Sequence, residues 1–145
     1  MKKNNNSFYK IIDANSNRAK EGLRVAEDIV RFKYSQKKSL EKIKTIRHKI
    51  DAAVKAISPS YNNLLSARAS ESDAGRRSSG RNEFKRENLS GILIPNFKRT
   101  QEALRVLEEV SKLTDARISK KFKELRYDVY EAEKEIVLKL INKEN

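Results

Sequence analysis

Hydrophobic positions recur every three or four residues along most of the chain, with charged residues between them. That is the period of an amphipathic helix. Phe8, Ile12, Ala19, Gly22, Leu23, Ala26, Ile29 and Val30 share one arc of a first helix. Leu40, Ile43, Ile46, Ile50, Ala53, Val54 and Ile57 keep the spacing in a second. A third stripe holds Ala103, Leu104, Leu107 and Val110, and a fourth Ile118, Phe122, Leu125, Val129, Ala132, Ile136 and Leu140. Ser58-Pro59 stops the second helix, because a residue before proline is pushed out of the helical region. Pro95 suits the first turn of the third.

These stripes belong to an internal repeat. Ala14–Phe32 and Pro95–Leu113 match at an offset of 81, pairing Asn15/Asn96, Arg18/Arg99, Glu21/Glu102, Arg24/Arg105 and Glu27/Glu108. After a two-residue shift, residues 43–50 resemble 122–129 and pair Arg47 with Arg126. Two copies make a duplicated unit rather than a solenoid. The pattern predicts one all-α domain over 1–145, a four-helix bundle of two duplicated helical hairpins (about 8–57 and 93–141). A long basic loop, 58–92, joins them, with Leu64-Leu65 and Ile92-Leu93-Ile94 tacking its ends onto the bundle.

Composition agrees. Hydrophobic and charged residues each make up 37% of the 145 residues, enough apolar content for one modest core. Four Gly and two Pro argue against a sandwich of many tight turns. Absence of Cys excludes thiol chemistry and Cys-based metal sites, and one His excludes a multi-histidine site. No apolar run reaches the ~18 residues of a membrane span, and no leader pattern follows Met1–Asn6, so a cytoplasmic protein without membrane contact is expected. The net charge of +13 predicts attraction to polyanions or phosphorylated small molecules. It sits unevenly: residues 1–57 hold 15 basic and 6 acidic side chains, whereas 100–145 hold 10 of each.

Candidate chemistry follows from the repeat. Asn15 and Asn96 fall within the apolar arcs, with Arg18 and Arg99 on their edges, and a buried Asn or Arg is costly without partners. One reading is an anion pocket where two Asn–Arg pairs converge, since Arg suits bidentate phosphate contacts. The other is that each Arg pairs with a nearby carboxylate and each Asn caps a helix. Glu21, Arg24 and Asp28, like Glu102, Arg105 and Glu109, stand at intrahelical ion-pair spacing. Alternatively, Glu21 and Glu102 share one mouth and hold Mg²⁺ or a substrate hydroxyl. The loop adds Arg68, Asp73, Gly75, Arg76, Arg77 and Arg81, either a phosphate and metal site or a solvated basic segment. Gly75–Arg81 mimics P-loop spacing but lacks the Lys and a preceding strand. His48 lies off the apolar stripe and reads as a surface residue.

The run at Asp13–Asp28, Arg47-His48, LLSAR at 64–68 followed by Asp73 and Gly75, and NFKRTQEALRVLEE at 96–109 together resemble a small bacterial domain. That family is described as a monofunctional hydroxymethylpyrimidine-phosphate kinase, found alone or ahead of thiamine-phosphate synthase. The resemblance spans roughly residues 8–138. It implies an ATP-dependent phosphomethylpyrimidine kinase acting with Mg²⁺ on a phosphorylated pyrimidine. On that expectation Arg18, Arg99 and Arg68, with Arg24 and Arg105, hold phosphates, and Asn15 and Asn96 hold the pyrimidine or ribose. Asp73, Glu21 and Glu102 are the catalytic candidates, and Asp73 and Glu102 the metal ligands. Ala69 departs from the pattern by removing a carboxylate. One rival is a partner-binding module of a thiamine-phosphate synthase, which predicts an exposed apolar stripe. A basic nucleic-acid-binding module is the other, although no reading motif is present. Two-helix repeats with apolar stripes also make a homodimer an expectation.

Overall fold

Each predicted stripe folds as a long helix in the computed structural model, which describes residues 2–78, 80 and 85–144. Helix α1 spans Lys2–Ile29, α2 Lys37–Ile57, α3 Tyr61–Ala67, α4 Ser90–Ser111 and α5 Ala116–Ile136. The described residues contain no strand, so the protein is all-α. Three details differ from expectation. The joining segment holds α3 and a 3₁₀ turn at Ser70–Ser72, so a fifth helix stands where a loop was expected. Helix α1 begins well before Phe8. Helix α4 begins at Ser90, which puts Pro95 inside it rather than in its first turn. The amide that proline lacks would have met the carbonyl of Gly91, an exposed residue of the first turn.

The shift from 81 to 79 in the repeat has a local cause. After α1 the chain runs through a π turn, Val30–Tyr34, and Ser35 adopts φ 53°, in the left-handed region. The second hairpin turns in fewer residues, and the Asp115 side chain caps α5 by accepting the Arg117 amide at 2.8 Å. The π turn absorbs the two extra residues of the first hairpin.

Helices α1 and α4 pack together, α2 and α5 pack together, and each hairpin closes on itself. Both cross-repeat pairs run antiparallel. Thr100 donates to the Ala19 carbonyl at 2.9 Å, while Tyr34, at the far end of α1, meets Ser90 at the start of α4. Lys42 near the start of α2 bonds Glu135 near the end of α5 at 2.8 Å. The result is a bundle with an internal two-fold, on which Ala19 and Thr100, equivalent positions of the two units, face each other. One continuous core runs through it, with Leu23, Leu104, Phe97 and Phe122 wholly buried. Removing either phenylalanine side chain would cost about 3–5 kcal/mol. Helix α2 ends beside the start of α1, at one end of the bundle, and α4 begins at the other; between them α3 packs on α1.

Candidate functional site

The two units approach closely at Gly22. A Cβ there would lie 2.7 Å from the Asn96 carbonyl oxygen and closer still to the Thr100 hydroxyl. Only hydrogen fits, so α1 and α4 come together and bring Arg18 and Arg99 to the same side of the two-fold. They line one cavity of about 590 Å³ with Asn15, Lys98, Glu102 and Val106. Both arginines are exposed, and among the described residues neither has a carboxylate or hydrogen-bond partner. Among the described residues six other arginines are committed: Arg24 and Arg47 to Glu27, Arg68 to Asp13, Arg105 and Arg126 to Glu108, and Arg117 to Asp115. The pair on the two-fold is thus a free cationic cradle.

The expected pairing of each Arg with a ligand-binding Asn is not formed. Asn15 donates to the Ile11 carbonyl at 2.9 Å and Asn96 to the Ile92 carbonyl at 2.8 Å. Each amide satisfies itself on its own helix, which is how the apolar arc tolerates it. Asn15 still lines the cavity, and Asn96 does not. Glu102 is in its wall, whereas Glu21 is exposed and outside that lining.

A second cavity, about 470 Å³, lies on the other flank of α1 and is lined by Lys10, Asp13, Asn17, Arg68, Ser70 and Asp73, among others. Arg68 grips the buried Asp13 with two bonds, 2.8 and 2.9 Å, and this partnership raises the Arg68 pKa. Its guanidinium therefore anchors the joining segment to α1 rather than standing free for a phosphate. Asp73 accepts the Gly75 amide at 2.7 Å and shapes a turn. Asp73 and Glu102, the candidate metal ligands, line different cavities. Among the described residues no group of three or more His, Cys, Asp or Glu side chains is arranged to hold a metal ion. Arg24 and Arg105 do form intrahelical ion pairs, but mainly with other partners than their spacing suggested: Arg24 bonds Glu27 at 3.3 Å rather than Glu21 or Asp28, and Arg105 bonds Glu108 at 3.4 Å as well as the expected Glu109 at 3.1 Å. His48, Arg76 and Arg77 are exposed, and Arg81 lies outside the described residues.

Two buried ion pairs escaped the sequence reading. Glu27 accepts Arg47 at 3.0 Å, and Glu108 accepts Arg126 at 2.9 Å; both glutamates are buried. The signal was present, since Glu27/Glu108 and Arg47/Arg126 are all repeat matches. Each pair ties the two helices of one hairpin together. Asp13, Lys98, Lys10 and Asn17 were also missed as cavity residues.

The fold and cradle define a duplicated all-α bundle with a cationic groove on its internal two-fold. The ThiD2 family matches residues 10–135, and the chain belongs to the ThiD2 family. It is 39% identical over 129 residues to a thiamine-phosphate synthase of Thermosynechococcus vestitus, covering 89% of this chain and 35% of that one. A thiamine-phosphate synthase of Nostoc punctiforme is 37% identical over the same shares. One from Rhodopirellula baltica is 34% identical over 134 residues, 92% of this chain and 35% of the relative. The chain spans about a third of the length of these relatives. No solved structure matches it. It is a small helical domain of thiamine biosynthesis. The expected ATP-dependent phosphomethylpyrimidine kinase is corrected here: relatives matching about nine-tenths of the chain are named for a different reaction. ATP entered only through that kinase reading. Among the described residues no helix is long and apolar enough to cross a membrane.

Proposed function

We propose that this domain works beside a thiamine-phosphate synthase and holds a phosphorylated pyrimidine in the Arg18–Arg99 groove. The observation that carries the reading is the arginine pair left without carboxylates while the other repeat-matched arginines, Arg24 and Arg105, Arg47 and Arg126, have them. A phosphate monoester carries close to two negative charges and accepts paired N–H donors in the guanidinium plane. Lys98 adds positive charge at the rim, although it also bonds Glu133 at 3.0 Å. Pro95, Ala103 and Val106 give the groove an apolar wall for a flat ring, and Glu102 is an acceptor for a ring amino group. The partnership draws its support from the relatives, in which the domain accompanies about twice its own length of other chain.

Isothermal calorimetry with 4-amino-5-hydroxymethyl-2-methylpyrimidine phosphate tests the groove. The phosphorylated compound binds, its unphosphorylated form does not, and Arg18→Ala/Arg99→Ala weakens binding at least about tenfold, the equivalent of about 1.4 kcal/mol. Equal binding by the double variant would refute the cradle. Sedimentation with a separately purified synthase tests the partnership, and two independent boundaries would count against it.

A further inference from the structure

The outward side of the α1–α4 layer carries a pattern that the core does not use. Ile11, Arg18, Val25 and Phe32 follow at seven-residue steps along α1 and its π turn. The same steps, 81 residues on, give Ile92, Arg99, Val106 and Leu113 along α4 and the turn after it. Ile11, Val25 and Phe32 are 40, 37 and 71% exposed, Val106 and Leu113 36 and 80%. Seven-residue apolar spacing is what a seam between helices uses. Each helix already has a separate buried stripe on its inner side. The antiparallel register places Ile11 near the level of Val106 and Val25 near that of Ile92. The face therefore reads apolar, arginine pair, apolar in both directions along it.

We propose that this face joins two copies of the chain by a two-fold, so that their Arg18–Arg99 grooves close on each other as one chamber. Size permits it. The stripe is about 30 Å long, from ~1.5 Å per residue. With two helices about 10 Å apart, it offers a footprint near the ~800 Å² per partner of a standard interface. Charge points to a second copy. The chain carries +13, yet beside the two arginines and Lys98, itself bonded to Glu133, this face holds Glu21 and Asp28 on α1 and Glu102 and Glu109 on α4. It is a face on which like chains meet without the general positive excess. In a two-fold pairing the free guanidinium groups of one copy come within about one helical turn of Glu21 and Glu102 of the other. The chamber rests on the anion reading of the groove: four guanidinium groups across the seam make a bound phosphate favour the pair over the separate chains.

Sedimentation equilibrium of the full chain over a wide concentration range, with and without the pyrimidine phosphate, tests this. The wild type is a dimer that the ligand tightens. Val25→Glu/Val106→Glu is a monomer with wild-type helicity and melting temperature. Should that variant misfold, Phe32→Glu/Leu113→Glu at more exposed positions serves the same purpose. A wild type that stays monomeric while calorimetry shows it binding ligand overturns the seam and leaves the groove standing. A dimer that binds no ligand does the reverse. Dimerisation that survives both charge pairs, or a monomer that gives this face to the synthase one-to-one, also overturns self-association.

Discussion

Replacing Gly22 with alanine separates two effects of opposite sign. Alanine in a helix interior is favoured over glycine by about 1 kcal/mol, so an open helical site gains stability. Gly22 is not open. The new methyl would stand 2.7 Å from the Asn96 carbonyl oxygen, where carbon and carbonyl oxygen normally keep about 3.3 Å. It would also press on the Thr100 hydroxyl, which donates to the Ala19 carbonyl at 2.9 Å. The neighbours include rigid helix backbone, so α1 and α4 must move apart. Overpacking of this kind costs about 1–3 kcal/mol, and weakening the buried hydrogen bond adds about 1 kcal/mol. After the propensity gain, the net loss is about 1–3 kcal/mol, or a fall in melting temperature of about 3–10 °C for a chain of this size. Thermal unfolding followed by circular dichroism reads it directly. Thr100→Ala in the same background removes the nearer obstacle and recovers part of the loss. Gly22→Ala that melts higher than wild type would refute the close crossing, and with it the geometry that sets Arg18 beside Arg99.

Glu108→Ala removes the buried carboxylate that Arg126 bonds, leaves that half-buried guanidinium with the Tyr130 hydroxyl alone, and destabilises by about 2–3 kcal/mol in urea unfolding, whereas Glu109→Ala, at an exposed ion pair, changes stability by less than about 1 kcal/mol; equal effects would undo the distinction. Acid loosens the hold on α2. Its bond to Lys42 keeps Glu135 below the usual carboxylate range. Burial alone would raise Asp51, but the bond to Lys20 and the charges of Lys20 and Lys55 together outweigh it and lower that group too. A carboxylate depressed in the folded state contributes stability that is present above its unfolded pKa, near 4, and is lost as pH falls through the folded value. Urea midpoints should therefore drop below about pH 4, and less so in Asp51→Asn/Glu135→Gln; identical pH profiles would reject the assignment.

The duplication was legible because each helix buries one stripe, and a stripe with a 3.6-residue period survives in the sequence whatever the tertiary detail. The arginines of the groove were legible for a related reason, since each breaks the edge of such a stripe at the same place. The fate of Asn15 and Asn96 was not. A polar residue on an apolar arc announces that it needs a partner, but not that the Ile11 and Ile92 carbonyls of its own helix provide it. Helix α3, seven residues long, is too short to show a period. Arg68 and Asp73 were expected at the same mouth as Arg18. The sequence holds no record of the path that lays the joining segment along the other flank of α1, where Asp13 fixes it.

The positions on the internal two-fold bear on how the protein arose. If a single hairpin paired with a copy of itself, the residue at the axis would meet its own duplicate, and the pair would be two alanines or two threonines. Two threonines would crowd a crossing that leaves no room for one methyl at Gly22. Two alanines would forgo the bond between helices. Fusion of both hairpins into one gene lifts that constraint, because each side of the axis then mutates alone. The unlike pair Ala19 and Thr100, small on one side and donating on the other, is an arrangement open only to the fused chain.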